Sequence, residues 1–291
     1  MLAGIDLGGT QVRVALARSD GQLVVSVKTK TSLVKSPQAM VEWAAAEIER
    51  LSGREKVRSI AIGAPGPIDI KHGILVNPPN LPAWRNIPLA ALLSRATGAK
   101  VHLANDADMA GLGEFHRGAG RGTRNMVYIT WSTGVGGGLI IDGRLHRGGH
   151  GTAGEIGHMI IDPDGPLDSC GQRGCVEAFC GGANLARETG HPAAELFAAA
   201  GRGDSRARMV VERAARHMGL ALISLTNAID PELFVMGGGV THSWALVQPT
   251  MLETLRSSPF IKPARRPRLR RARLGDRAGQ VGAVEWARIN Q

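Results

Sequence analysis

Hydrophobic positions open the chain at strand spacing. An apolar run from Leu2 to Leu7 meets Gly8-Gly9-Thr10, Val12, Val14 and Leu16 then alternate with other residues, and Leu23 to Val27 follow a Ser-Asp-Gly turn. The pattern predicts a three-strand meander. The period then lengthens: Met40, Val41, Ala44, Ala45, Ile48 and Leu51 recur at helical spacing after Ser36-Pro37 and stop at Gly53. A strand at 57–62 runs into GAPGPID (63–69), and the loop NPPNLPAW (77–84) precedes a helix at 89–96 and a strand at 101–104. The second half repeats the plan. Met126 to Thr130, a loop over Gly134 to Gly138 and a strand at 139–141 lead to a long helical pattern at 207–228, a strand at 233–236 and a glycine cluster at 237–239. Meander, helix, strand and helix stated twice predict an α/β protein of two related domains around a cleft.

Composition narrows the class. At 291 residues the chain is long for one domain, and its 43% hydrophobic and 21% charged residues exclude a disordered chain. Asp6 interrupts the first apolar run and no basic segment precedes it, which argues against export, and the longest uncharged run (125–141) is too polar to cross a membrane. A soluble cytoplasmic protein is expected, with no membrane partner. The net charge of +10 raises the prospect of nucleic acid, but Lys262, Arg265, Arg266, Arg268, Arg270, Arg271 and Arg273 concentrate seven charges in a strip that reads as a solvated basic loop. No nucleic-acid partner is therefore expected.

Several positions could carry chemistry. The three glycine clusters lie at strand ends, where backbone N–H groups can cradle phosphates, and none has Walker A or dinucleotide-fold spacing. Asp6 sits in an apolar strand just before the first cluster, so a buried carboxylate there needs a partner such as hydrated Mg²⁺. Asn105, Asp106 and Asp108 end a strand before a helical pattern, where a carboxylate can serve as a general base or merely cap the helix. All three cysteines fall at 170–180. His158, Cys170 and Cys175 have spacing suited to Zn²⁺, with Asp168 or Cys180 as the fourth ligand, and Glu155 and Glu177 flank that loop.

In order along the chain, GIDLGGT, TWSTGVGGGLIIDGRL, AGEIGH with CGQRGCVEA, and DPELFVMGGGV together resemble the motifs of the ROK family of sugar kinases and repressors. The resemblance spans essentially the whole chain. It implies the actin-like ATPase (ribonuclease H-like) fold. A smaller N-terminal domain of residues 1–115, with a helix at 277–291 packing back on it, is expected beside a larger domain of residues 116–276 that carries the zinc loop. It further implies transfer of the γ-phosphoryl of ATP to the 6-hydroxyl of a hexose. Glucose is favoured over N-acetylmannosamine or fructose, and a non-catalytic sugar-sensing regulator is the alternative. The family's repressors add an N-terminal helix-turn-helix, for which a first motif starting at residue 4 leaves no room.

Carried onto this chain, the resemblance makes Asp106 the general base. Gly66, Asn80, Asn105, Glu155, His158 and Glu177 would contact the sugar. Asp6, Gly8, Gly9, Thr10, Thr133, Gly134, Gly136, Gly137, Gly238 and Gly239 would serve Mg²⁺ and ATP. The family's zinc loop has a cysteine where this chain has Asp168, so the expected zinc set is His158, Asp168, Cys170 and Cys175, binding more weakly than a three-cysteine site. A homodimer or homotetramer is implied.

Overall fold

The structure, a computed structural model, describes residues 1–291. Its strands are β1 (Leu2–Leu7), β2 (Gln11–Ala17), β3 (Leu23–Lys30), β4 (Ser59–Ala64), β5 (Ile68–Asp69), β6 (Ile74–Leu75), β7 (Lys100–Asn105), β8 (Met126–Trp131), β9 (Val135–Ile141), β10 (Arg144–His146), β11 (Leu233–Gly237) and β12 (Arg268–Arg271). The helices are α1 (Pro37–Ser52), α2 (Leu89–Thr97), α3 (Asp106–Arg117), α4 (Val176–Cys180), α5 (Gly182–Thr189), α6 (Ala193–Gly201), α7 (Ser205–Ile229), α8 (Trp244–Ser257) and α9 (Ala278–Ile289).

Two units divide the chain. Unit 1 comprises Met1–Arg121, Arg147–Gly151 and Asp276–Gln291, and unit 2 comprises Gly122–His146 and Thr152–Gly275. Each holds a five-stranded sheet, in the order β3-β2-β1-β4-β7 and β10-β9-β8-β11-β12. The first three strands of each sheet form an antiparallel meander, and the sheets continue in parallel from β1 through β4 to β7 and from β8 through β11 to β12. The same topology thus occurs twice, which is the repeat that the hydrophobic pattern predicted.

Local chemistry explains the elements. Ser36 caps α1 by accepting a hydrogen bond from the Ala39 N–H at 3.1 Å, with Pro37 at the first helical position. Asp204 caps α7 through the Ala207 N–H. β1 and β4 are apolar almost throughout because both faces are covered. The core of unit 1 gathers Ile5, Val14, Ile60, Ile62, Met40 and Leu93. That of unit 2 gathers Val127, Ile129, Phe234, Met218, Leu222 and Met251.

The domain limits differ from the expected break at 115/116. Helix α3 runs on to Arg117, and buried Glu114 then accepts from the Ala119 N–H at 2.7 Å while its carbonyl takes the Gly120 N–H at 2.9 Å. Residues 118–121 are thereby held to unit 1. Residues 147–151 also belong to it, with the Arg147 guanidinium lying 4.8 Å from the centre of the Trp286 ring. Helix α9 completes unit 1 against α3, β1 and β4. Close approach is permitted by glycine: a Cβ on Gly282 would sit 1.6 Å from the Met109 carbonyl oxygen, and one on Gly113 2.4 Å from that of Ala278.

Candidate functional site

In unit 1 the three parallel strands end together, Asp6 pairing with Gly63 and Ala64 with Asn105. This carboxyl end of the sheet is where open α/β folds place ligands. The tip Gly8-Gly9-Thr10 joins β1 to β2, and buried Thr31 braces it by donating its hydroxyl to the Gly8 carbonyl at 2.7 Å and its N–H to the Thr10 carbonyl at 2.9 Å. Sequence reasoning passed over Thr31, whose signal was a threonine just beyond the third strand. Gly9 packs on Asn80, since a Cβ there would lie 3.0 Å from the Asn80 Cβ. The first hairpin tip and the 77–84 loop are therefore neighbours. Gly66 lies in the connection from β4 to β5 and precedes Pro67 through a cis peptide.

Asn105 is the N-cap of α3, its Oδ1 accepting from the N–H groups of Ala107 at 2.8 Å and Asp108 at 3.3 Å. Asp106 takes the first helical position, half-buried, with Oδ1 accepting from the Ala107 N–H at 2.8 Å. The capping reading therefore falls on Asn105, and the candidate base is the neighbouring Asp106. Asp6 has a partner that the sequence did not reveal. Arg13, opposite it on β2, donates from Nη1 to Oδ2 at 3.2 Å, so the buried charge is met within the protein and not only by a cation. Burial pushes the Asp6 carboxyl up from the ordinary range, and Arg13 pulls against it.

In unit 2 the equivalent tip is Ser132-Thr133-Gly134, between β8 and β9, with Ser132 and Thr133 exposed. The expected glycine loop is shorter than the sequence suggested. Gly136 and Gly137 lie within β9, opposite Thr130 and Ile129, and the space a side chain on Gly137 would need is filled by Ile156, whose Cδ1 would be 2.2 Å from a Cβ. The second glycines thus seat the 154–157 segment on the sheet. At the end of β11, Gly238 adopts φ +84°, a conformation suited to glycine, with its Cβ position 2.3 Å from the Trp131 carbonyl oxygen. Gly239 follows and is exposed. Glu155 is exposed, and Glu177 on α4 is half-buried with Oε2 accepting from the Val135 N–H at 2.6 Å.

His158, Asp168, Cys170 and Cys175 converge, with one ligand atom from each lying within 4.8 Å of the others. The His158 Nδ1 is buried without a hydrogen-bond partner, as expected of a nitrogen kept for a metal. One nitrogen, one carboxylate and two thiols suit a tetrahedral Zn²⁺. Burial works against the Asp168 charge, but hydrogen bonds from the Cys170 thiol, the backbone and Asn184 outweigh it and bring the carboxyl down to about 2. Burial of the Cys170 thiol and its bond to Asp168 push that group up to about 11, and burial also raises Cys175. Cys180 stands apart in the core, its thiol donating to the Ala214 carbonyl at 3.2 Å. Asp168, not Cys180, therefore joins the cluster. Asn184, also passed over in the sequence, donates from Nδ2 to Asp168 Oδ1 at 2.8 Å.

The ROK family model matches residues 2–290. The chain belongs to the ROK family. A glucokinase from Thermotoga maritima is 35% identical over 262 residues, covering 83% of each chain. An N-acetylmannosamine kinase from Escherichia coli O6:K15:H31 is 35% identical over 241 residues, covering 81% of this chain and 82% of that one. A ROK family glucokinase from Streptomyces griseus, solved in complex with glucose and AMPPNP, is 31% identical, covers 99% of both chains and superposes with a TM-score of 0.81. The doubled sheet topology of this ROK protein is accordingly the actin-like ATPase fold.

Proposed function

We propose that this ROK protein is an ATP-dependent hexose kinase that transfers the γ-phosphoryl group of ATP to the 6-hydroxyl of glucose, with Asp106 as general base. The observation that carries this reading is the company kept at the carboxyl end of the first sheet. The Gly8–Thr10 tip packs on the Asn80 loop, and Asp106 heads α3 at the end of the neighbouring parallel strand. Phosphoryl transfer asks for little more than a held polyphosphate, a held acceptor hydroxyl and a carboxylate to take its proton.

In the reaction, Asp106 accepts the proton of the hydroxyl, the oxygen bonds to the γ-phosphorus, and the bond to the bridging oxygen breaks to release ADP. Unit 1 supplies Gly8, Gly9 and Thr10 for phosphates and Gly66, Asn80 and Asn105 for the sugar. Unit 2 supplies Thr133, Gly134, Gly238 and Gly239 for the nucleotide and Glu155 and His158 for sugar hydroxyls. Mg²⁺ enters as the counter-ion of ATP, with Asp6 its nearest carboxylate in sequence to the first tip. Zn²⁺ on His158, Asp168, Cys170 and Cys175 would cross-link their loop and fix the ring of His158, a structural role.

A coupled ADP-release assay with glucose, mannose, fructose and N-acetylmannosamine tests the reading. Turnover is expected with glucose, and none with any hexose would overturn it. Preferential turnover of N-acetylmannosamine would select the second reading, favoured by the equal identity of the Escherichia coli kinase.

A further inference from the structure

The turn Ser132–Gly134 is held from outside. Its internal support is one bond, from the Ser132 N–H to the Gly134 carbonyl at 2.9 Å. Around it, α4 and the start of α5 close like a clamp. The Gly182 N–H donates to the Ser132 carbonyl and the Ala183 N–H to that of Thr133, each at 2.9 Å. The Trp131 indole N–H donates to the Cys180 carbonyl at 2.7 Å, just before the turn. Just after it, Glu177 Oε2 accepts from the Val135 N–H at 2.6 Å. The carboxylate lies against Gly134, where a Cβ would come within 2.4 Å of Oε2.

The clamp is itself anchored on the thiol–carboxylate cluster. Cys175 is the N-cap residue of α4, and the Asn184 amide donates both to Asp168 Oδ1 and to the Glu177 carbonyl, each at 2.8 Å. Arg187 in turn donates to Asn184 Oδ1. Glu177 therefore reaches from α4, beside the thiol–carboxylate cluster, to the backbone of the second candidate phosphate turn.

We infer that Glu177 is a positioning residue for nucleotide binding: its Oε2 fixes the Ser132–Val135 backbone in the conformation that receives the phosphates. This task on Oε2 is separate from the sugar contact that family resemblance implies for the same carboxylate. The inference rests on assigning Thr133 and Gly134 to the nucleotide.

Calorimetric titration of the full chain with a non-hydrolysable ATP analogue plus MgCl₂, and separately with glucose, tests it. Loss of one charge-assisted hydrogen bond predicts that Glu177→Ala weakens nucleotide binding by about tenfold or more, measured in the absence of sugar. Glu177→Gln keeps an oxygen acceptor for the Val135 N–H and should stay within about threefold of the parent for nucleotide. A nucleotide affinity unchanged in Glu177→Ala, a loss confined to glucose, or a Gln variant as impaired as the Ala variant would each overturn the inference. Should Glu177→Ala fail to fold, Glu177→Asp retains the charge but withdraws the oxygen by one methylene, and unaltered nucleotide binding there would overturn it equally. A parent protein that binds the nucleotide but phosphorylates no hexose would sink the hexose-kinase reading and leave this one standing.

Discussion

Asn105 and Asp106 together open α3, and Asp106 is the residue proposed as general base. The Asn105 amide oxygen takes the N–H groups of Ala107 and Asp108, and Asp106 at the first helical position accepts from the Ala107 N–H through Oδ1. Asp106→Asn keeps shape and removes basicity, so kcat for hexose phosphorylation should fall by about 10² to 10⁴ while the melting temperature stays near that of the parent. Near-normal turnover would remove Asp106 from the role of base. At the cluster, the Cys170 and Cys175 thiols are protonated at neutral pH, since Cys170 is pushed up to about 11 and burial raises Cys175. Asp168, held at about 2, is already ionised. Zinc binding at pH 7 should therefore release roughly two protons and tighten as pH rises, and titrations in buffers of differing ionisation enthalpy will count them. Release of none would mean that the thiols are not ligands. Because a thiolate is the better zinc ligand here, Asp168→Cys should raise zinc affinity by about tenfold or more in competition with a chromophoric chelator.

Elements with a clean period or a strong cap were legible in the sequence: the first meander, α1 behind Ser36-Pro37 and the long α7. The glycine run after β8 was misread because glycine serves equally a loop and a strand against which another segment must pack closely, and Ile156 decides between them from a distance that sequence does not display. Asp106 as candidate base, the glycine tips and the candidate metal ligands could be named from residue type, order and family resemblance. Arg13, Thr31 and Asn184 could not, because each acts through a partner brought near only by the fold. The α3–α9 contact is the sharpest packing constraint of this kind. Gly282→Ala drives a methyl group into the Met109 carbonyl, so unit 1 should lose about 1–3 kcal/mol or more of stability in urea titration. A change of under about 0.5 kcal/mol would show that α9 can shift freely on α3.

At the scale of the molecule, charge and connectivity both depart from uniformity. The basic strip at 262–273 spans the edge strand β12, whose arginines at 268, 270 and 271 are exposed, and charged edges of this kind discourage pairing with a foreign strand. No helix is long and apolar enough to cross a membrane. Connectivity is the stronger constraint, because α9 belongs to unit 1 although the whole of unit 2 precedes it. Removing residues 278–291 should abolish hydrogen-exchange protection in β1, β4 and α3 while the strands of unit 2 stay protected. Equal protection of both sheets in the truncated chain would refute this dependence.

Vectorial synthesis meets the same connectivity in time. Strands β1 to β7 leave the ribosome first, yet the helix that covers β1 and β4 emerges last, so an apolar sheet face waits through the translation of more than half the chain. At about 5–20 residues per second that wait lasts on the order of ten seconds, during which unit 2 has time to fold while the apolar face of the first sheet stays uncovered.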